Sequence, residues 1–352
     1  MSPLVEAQGL CRSFPTQQRG FLSLRRALRA VSDVDLAVRR GEVVGLVGES
    51  GSGKSTVGRL MLGLLAPTAG RVSFDGVDLA RADGATLRRL RRRMQLVFQD
   101  PYSSLDPRRR VGDQIGDGLA IHGLAPRRER AGRVAALLAR VGLTAEHAGR
   151  YPHAFSGGQR QRVGIARALS TEPDFIVADE PVSALDVSVQ AQVLELLAAL
   201  KEKLGLSMLF ISHDLPAVRH LCDRVVVLYL GRVMEEGTAA EVFGRPCHPY
   251  TQALLSAAPS LDPERRGRRI ILKGEPPSPA DPPSGCVFRT RCMHAIPACA
   301  EAVPAFIAGG SPGHLVACIR PEVFGLSDPP SLDASSAPAP PRFPRQEPTH
   351  RR

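Results

Sequence analysis

The stretch Gly48-Glu49-Ser50-Gly51-Ser52-Gly53-Lys54-Ser55-Thr56 decides the fold, because it can hold a chain of phosphates and its flanks supply the frame such a loop needs. Glycines at 48, 51 and 53 let the backbone turn tightly around Ser50 and aim its N–H groups inward without a clash from Cβ atoms. Lys54 reaches the β- and γ-phosphates, Ser55 offers a hydroxyl to Mg²⁺, and Thr56 opens a helix whose positive end faces the anion. Val43 to Val47 ahead of the loop reads as a buried strand, and Val57 to Leu65 after it as a helix. A Gly/Ser linker that matched by chance would not be flanked in this way.

Further along, Ser156-Gly157-Gly158-Gln159 opens a helix over 160–169, with a serine N-cap and paired glycines that expose N–H groups. It is a second anion-binding helix start in a chain that already has one. Phe175 to Ala178 is a short apolar strand that delivers Asp179 and Glu180 at its carboxyl end, where ligands bind in a parallel sheet. Asp179 suits Mg²⁺, and Glu180 suits the polarisation of a water that attacks the γ-phosphate. Ser183 to Asp186 follows as a tight loop, then a helix with Val189, Val193, Leu196, Leu197, Leu200 and Leu204 on one face. The strand Ser207 to Ile211 ends in Ser212-His213-Asp214, and a place beside the Asp179 strand would bring His213 to the γ-phosphate.

Strands are also expected near Leu4 to Ala7, over Val34 to Val38, Arg71 to Phe74 and Leu96 to Phe98, with an insertion from Gln17 to Ala30. Phe14 stands as a lone aromatic before that insertion. From Asp100 to about Arg162 the pattern turns helical, with Val111 to His122 and Arg130 to Val141 apolar at three- and four-residue spacing.

The chain has 352 residues, 43% of them hydrophobic, enough for one large α/β domain and a smaller module. No apolar run approaches the ~18–20 residues that cross a bilayer. Met1 to Leu10 lacks the pattern of a signal peptide, so an intracellular protein is expected. The net charge of +11 comes from arginine, since Lys54, Lys201, Lys203 and Lys273 are the only lysines. No Tyr or Phe is interleaved with the basic runs at 88–93, 108–110, 127–130 and 265–269, which speaks against nucleic acid and for solvated helix faces or an anionic membrane surface.

With these residues assembled, the chain resembles the nucleotide-binding subunits of ABC transporters over Leu4 to Gly244. The resemblance implies an α/β P-loop NTPase core of ABC type over 1–244, with a helical subdomain inserted at about 100–162. It makes Phe14 the adenine-stacking aromatic, Gly48 to Ser55 the Walker A loop, Gln99 the Q-loop residue that reads the γ-phosphate and Mg²⁺, and Ser156 to Gln159 the signature. Asp179 and Glu180 become the Walker B acids, Asp186 closes the D-loop, and His213 is the switch histidine. ATP and Mg²⁺ are the implied ligands, with Ser55, Gln99 and Asp179 around the metal. Two such domains pair head to tail in this family, each ATP lying between one P-loop and the partner's signature.

Val97-Phe98-Gln99-Asp100-Pro101-Tyr102 to Pro107, Tyr151-Pro152-His153 and His248-Pro249-Tyr250 are similar to the dipeptide/oligopeptide importers, and nickel importers share much of this pattern. The resemblance implies an ATPase at the cytoplasmic face of the inner membrane. Its partners would be a second, non-identical ATPase, two permease subunits and, indirectly, an extracytoplasmic solute-binding protein, with no nucleic acid. A soluble ABC ATPase that acts on nucleic acid or ribosomes is the rival from another class, although this chain has neither a long coiled coil nor a second cassette.

The composition changes at Pro246, and within 245–320 Cys286, Cys292, Cys299 and Cys318 crowd together. Clustered thiols in a reducing compartment argue for metal. No Cys-x-x-Cys pair of the usual zinc kind is present, whereas four thiolates at wide spacing can ligate an iron–sulfur cluster, so a cluster, zinc or free thiols remain as readings. The segment resembles the C-terminal extension of peptide-importer ATPases, some of which are associated with a [4Fe–4S] cluster. Met293 here replaces a proline frequent in that family. Residues 321–352, rich in Pro, Ser and Ala, are expected to be a disordered tail.

Overall fold

The structure, a computed structural model, describes residues 2–15, 27–100, 102, 104–258, 269–311 and 313–324. Most of the expected insertion at 17–30 and of the expected tail lie outside them. Strands β1 (Val5–Pro15) and β2 (Ala27–Val38) pair antiparallel. Both are longer than their apolar cores suggest, because a cross-strand partner holds polar ends such as Ser13 against Arg29. The phosphate-loop strand β3 (Val43–Val47) leads through the loop into α1 (Lys54–Met61). Next come β4 (Ala69–Phe74), β5 (Val77–Asp78), α2 (Gly84–Arg93) and β6 (Met94–Val97).

The helical insertion contains α3 (Val111–Ile121), α4 (Arg127–Arg140) and α5 (Gly157–Leu169). The first helix starts at Val111 as expected, after a stretch of turns, and the second starts at Arg127, three residues earlier than its apolar spacing suggests. The core then continues with β7 (Phe175–Asp179), α6 (Val187–Leu204), β8 (Ser207–Ile211), α7 (Leu215–Leu221), β9 (Arg224–Tyr229) and β10 (Arg232–Thr238). Helices α8 (Ala239–Gly244) and α9 (Pro249–Ser256) and the short strands β11 (Ile307–Ala308) and β12 (Leu315–Val316) follow.

Among the described residues β1, β2, β4 and β5 form a four-stranded antiparallel sheet, and the rest an eight-stranded sheet in the order β11-β12-β10-β9-β3-β8-β7-β6. From β9 to β6 the large sheet is parallel. Its central strands are apolar but for Ser207 and Asp179 at their ends, because both faces are covered. Val43 and Val47 of β3 face one core with the helical insertion, while Val44 and Leu46 face the other with the small sheet and α1. Phe175 and Val177 alternate in the same way with Ile176 and Ala178, as do Leu209 and Ile211 with Met208 and Phe210. No helix among the described residues is long and apolar enough to cross a membrane.

The C-terminal segment is joined to this sheet rather than appended to it. Strand β12 pairs with β10, and its return strand β11 closes the edge. Glu235 of β10 is fully buried. Its carboxylate accepts the N–H groups of Cys247 and His248 at 2.8 Å each and faces His314 Nε2 at 2.6 Å. The Cys247 sulfur completes a trio of metal-ligand type, but it faces the Gly309 carbonyl at 3.3 Å, and burial pushes its thiol up to about 11. Glu235 is therefore a structural hub whose oxygens are already engaged. Glu235→Ala should lower the unfolding free energy by about 3 kcal/mol, through donors left buried without acceptors. Glu235→Gln should lose less, and urea denaturation of the full chain checks both.

Candidate active site

The parallel strands end together, and the site is built on their ends. Leu46 pairs with Ile211, Ile211 with Asp179, and Ala178 with Val97, so Gly48, His213, Asp179 and Gln99 leave one edge of the sheet side by side. At these ends lies a cavity of about 670 Å³, lined among others by Phe14, Ser50, Gly51, Gly53, Lys54, Ser55, Thr56, Gln99, Glu180 and His213. Glycine is required at two of the loop positions. A Cβ on Gly48 would sit 2.1 Å from the Leu228 carbonyl oxygen, and Gly53, at φ 103°, would bring one to 2.2 Å from that of Ala30.

Lys54 is buried, and its ammonium donates to the carbonyls of Gly48 and Glu49 at 2.8 and 2.9 Å, which holds it over the loop. Burial lowers its pKa, and the carboxylates of Glu180, Asp179 and Glu49 oppose that shift. Ser55 Oγ donates to Asp179 Oδ1 at 2.8 Å, joining the loop to the end of β7. That hydroxyl and carboxylate are hard oxygen donors of the kind Mg²⁺ takes beside phosphate. The Lys54 ammonium and the glycines of the loop stand alongside, so the residues present fit a Mg²⁺–nucleoside triphosphate.

Glu180 breaks the strand. Its φ of 46° lies in the left-handed region, at a cost of about 1–2 kcal/mol for a side chain of this kind. Hydrogen bonds hold it there, from its N–H to the Ile211 carbonyl (2.9 Å) and from the Ser183 hydroxyl to its own carbonyl (3.0 Å). The carboxylate sits between Gln99 Nε2 at 2.8 Å and His213 Nδ1 at 3.3 Å. An acceptor fixed on both sides and facing the phosphate space is suited to orient a water molecule.

The signature residues are elsewhere. Ser156 and Gln159 form a reciprocal capping box at the start of α5, with Gly157 close to Leu185 and Gly158 close to Val189. None of Ser156, Gly157, Gly158, Gln159 or the exposed Asp186 lines the cavity. Phe14 does, opposite Leu28 in the sheet and with the Arg12 guanidinium 4.6 Å above its ring.

Three contacts escaped the sequence reading, all from the C-terminal segment. Pro279 walls the cavity beside Phe14 and Leu28 and accepts the N–H of Arg29 at 3.0 Å. The Tyr250 hydroxyl accepts the N–H of Glu49 at 2.8 Å, and Arg291 reaches the Glu49 carboxylate. The prolines at 276, 277 and 279 and the His-Pro-Tyr triplet were visible as words, but nothing in their spacing pointed to the phosphate loop.

The four clustered cysteines converge. Cys286, Cys292, Cys299 and Cys318 line one small cavity of about 20 Å³ with Phe288, Pro249 and His294. No three of their sulfurs lie mutually within 4.8 Å. A single tetrahedral zinc ion would draw them to about 3.8 Å apart at its ~2.3 Å Zn–S distance. Burial pushes the thiols of Cys286, Cys292 and Cys318 up, the last to about 11.

Residues 31–183 match the family model described as "ABC transporter", and residues 234–299 that described as "Oligopeptide/dipeptide transporter, C-terminal region". The oligopeptide transport ATP-binding protein AppF of Bacillus subtilis is 50% identical over 320 residues, 90% of this chain and 96% of the relative. The dipeptide transport ATP-binding protein DppF of Escherichia coli is 47% identical over 316 residues, 90% and 94% of the two chains. Among solved structures, the ADP- and Pi-bound dimer of the ATP-binding cassette MJ0796 superposes with a TM-score of 0.59 at 31% identity, over 67% of this chain and 98% of that one.

Burial raises the Asp179 carboxyl, with Ser55 as the main opposing partner, so a proton would compete with a cation bound there above the usual aspartate range. Affinity for Mg²⁺–ADP should therefore fall on acidification before an ordinary aspartate would titrate. Calorimetric titrations from neutral to acid pH, with Asp179→Asn lacking that limb, check it.

Proposed function

The chain belongs to the ABC transporter ATPases, in the branch that carries the oligopeptide/dipeptide C-terminal region, and we propose that it is the ATP-hydrolysing subunit that energises peptide import. The observation that carries the mechanism is the convergence of Lys54, Ser55, Glu180, Gln99 and His213 on one cavity, with Asp179 hydrogen-bonded to Ser55 at its edge, while the signature helix of the same chain lies outside it. One chain then holds half of each of two sites. A second ATPase subunit presents its own Ser-Gly-Gly helix start to the γ-phosphate, and this chain's α5 does the same for the partner.

Each residue has a distinct task. The loop N–H groups and Lys54 hold the β- and γ-phosphates, and Phe14 packs against the base. Ser55 and Asp179, with Gln99, would hold Mg²⁺, which when bound would supply neutralisation of the phosphate charge. Glu180 orients the attacking water and accepts its proton, and His213 keeps the carboxylate aligned. Gln99, at the join to the helical insertion, reports the state of the site to that insertion. Phe98, Tyr102 and Tyr151 are 43%, 63% and 39% exposed on that side, an apolar surface suited to a helix from a membrane permease subunit. With such a helix docked on it, the chain lies peripherally on the cytoplasmic face of the membrane in this reading.

The four gathered thiols are read as ligands of an iron–sulfur cluster. No three of their sulfurs are gathered as closely as a single ion would draw them, which supports a larger group. An assay of iron and sulfide on anaerobically purified protein should find both in matching amounts and lose both in Cys292→Ser. Zinc alone would overturn this part.

Glu180→Gln tests the central claim. In the assembled transporter ATP hydrolysis should fall at least about 100-fold while ATP still binds and the paired ATPases stay closed. Hydrolysis at the wild-type rate would refute the role given to Glu180.

A further inference from the structure

The cysteine module touches the phosphate loop itself. Arg291 stands one residue before Cys292, and its guanidinium lies 2.7 Å from Glu49 Oε2, with the two side chains 9% and 29% exposed. The same nitrogen is 3.4 Å from the Tyr229 hydroxyl. Tyr229, Tyr250 and Phe288 pack ring against ring at centroid distances of 4.7 and 5.3 Å, which fixes the arm that carries Arg291 against β9 and α9.

Glu49 is out of place by charge, a carboxylate within a loop built for a polyanion. Left bare it would repel phosphate oxygens and compete with them for Lys54, whose ammonium already hydrogen-bonds the Glu49 carbonyl. An arginine at hydrogen-bond distance masks that charge, and the Tyr250 hydroxyl pins the Glu49 N–H at the same time.

We propose that Arg291 is a positioning residue for ATP, which acts by neutralising Glu49 and fixing the start of the phosphate loop, so that the cysteine module sets the affinity of the nucleotide site. The proposal rests on the reading of residues 48–56 as the ATP cradle, and the test separates the two.

Binding of a fluorescent ATP analogue with Mg²⁺ to the full chain is measured first for wild type and Lys54→Ala. If these bind alike, the cradle reading fails and the inference with it. Given a cradle, Arg291→Met keeps the aliphatic stem and removes the charge. It should weaken binding roughly three- to tenfold, with a matching rise in KM for ATP and little change in kcat in the assembled transporter. Arg291→Lys should recover most of the loss. Glu49→Gln should shift affinity the other way and tighten binding, and the Arg291→Met/Glu49→Gln pair should return to within about twofold of wild type. A purely structural contact predicts weakening in all of these variants. Unchanged binding in Arg291→Met, or a double variant as weak as Arg291→Met alone, overturns the proposal. Should Arg291→Met fail to fold, weaker binding by Glu49→Gln does so on its own.

Discussion

The molecule depends on the common level at which its parallel strands end. Inside the sheet β3, β7 and β8 are paired on both sides and buried along their length, so reactive groups can be presented only where pairing stops. Because the strands run the same way and in register, the stops coincide. Residues up to 165 positions apart in sequence, from Gly48 to His213, become neighbours without any loop having to reach for them. The Ser55–Asp179 hydrogen bond and the Gln99–Glu180–His213 row follow from that alignment.

The arginine-rich composition has a different meaning in three dimensions from the one a charge count suggests. Arg93 sits between Asp75 and Asp174, Arg109 is forked onto Asp117, and Arg224 joins Glu42 to Glu236, tying the turn before β3 to strands β9 and β10. Arg160 and Arg167 lie over the rings of Tyr102 and Phe98, next to Gln99. Much of the positive charge is thus engaged in holding joints between elements, and two of those joints flank the passage from the core to the helical insertion.

The sequence was most informative where one local pattern carried both structure and chemistry. Glycines before a lysine, an apolar run ending in Asp179-Glu180 and a strand ending at His213 each announce an element and its cargo within about ten residues. The α/β core, the helical insertion and the ATP cavity were therefore legible. What stayed hidden depends on distant pairings that leave no periodic trace. The role of Glu235 appears only when Cys247, His248 and His314 fold around it. The contacts of Tyr250, Pro279 and Arg291 with the nucleotide site join segments about 200 residues or more apart. The cysteine spacing announced a shared site, but whether the thiols converged was a question for the fold. The left-handed turn at Glu180 was equally unreadable, since nothing in Ala178-Asp179-Glu180-Pro181 names a φ angle.

The pairing of β12 with β10 bears on how the protein is made. A ribosome releases β10 some 75 residues before the strand that covers its edge, with the cysteine-bearing segment still to be synthesised between them. Over that interval the nascent cassette carries an open sheet edge and a carboxylate, Glu235, that meets Cys247 and His248 early but still lacks His314. The phosphate loop likewise waits for Tyr250 and Arg291. The catalytic half of the chain thus matures only after nearly all of its described residues have been translated, and a newborn subunit is kept from a finished nucleotide site until its C-terminal segment has arrived.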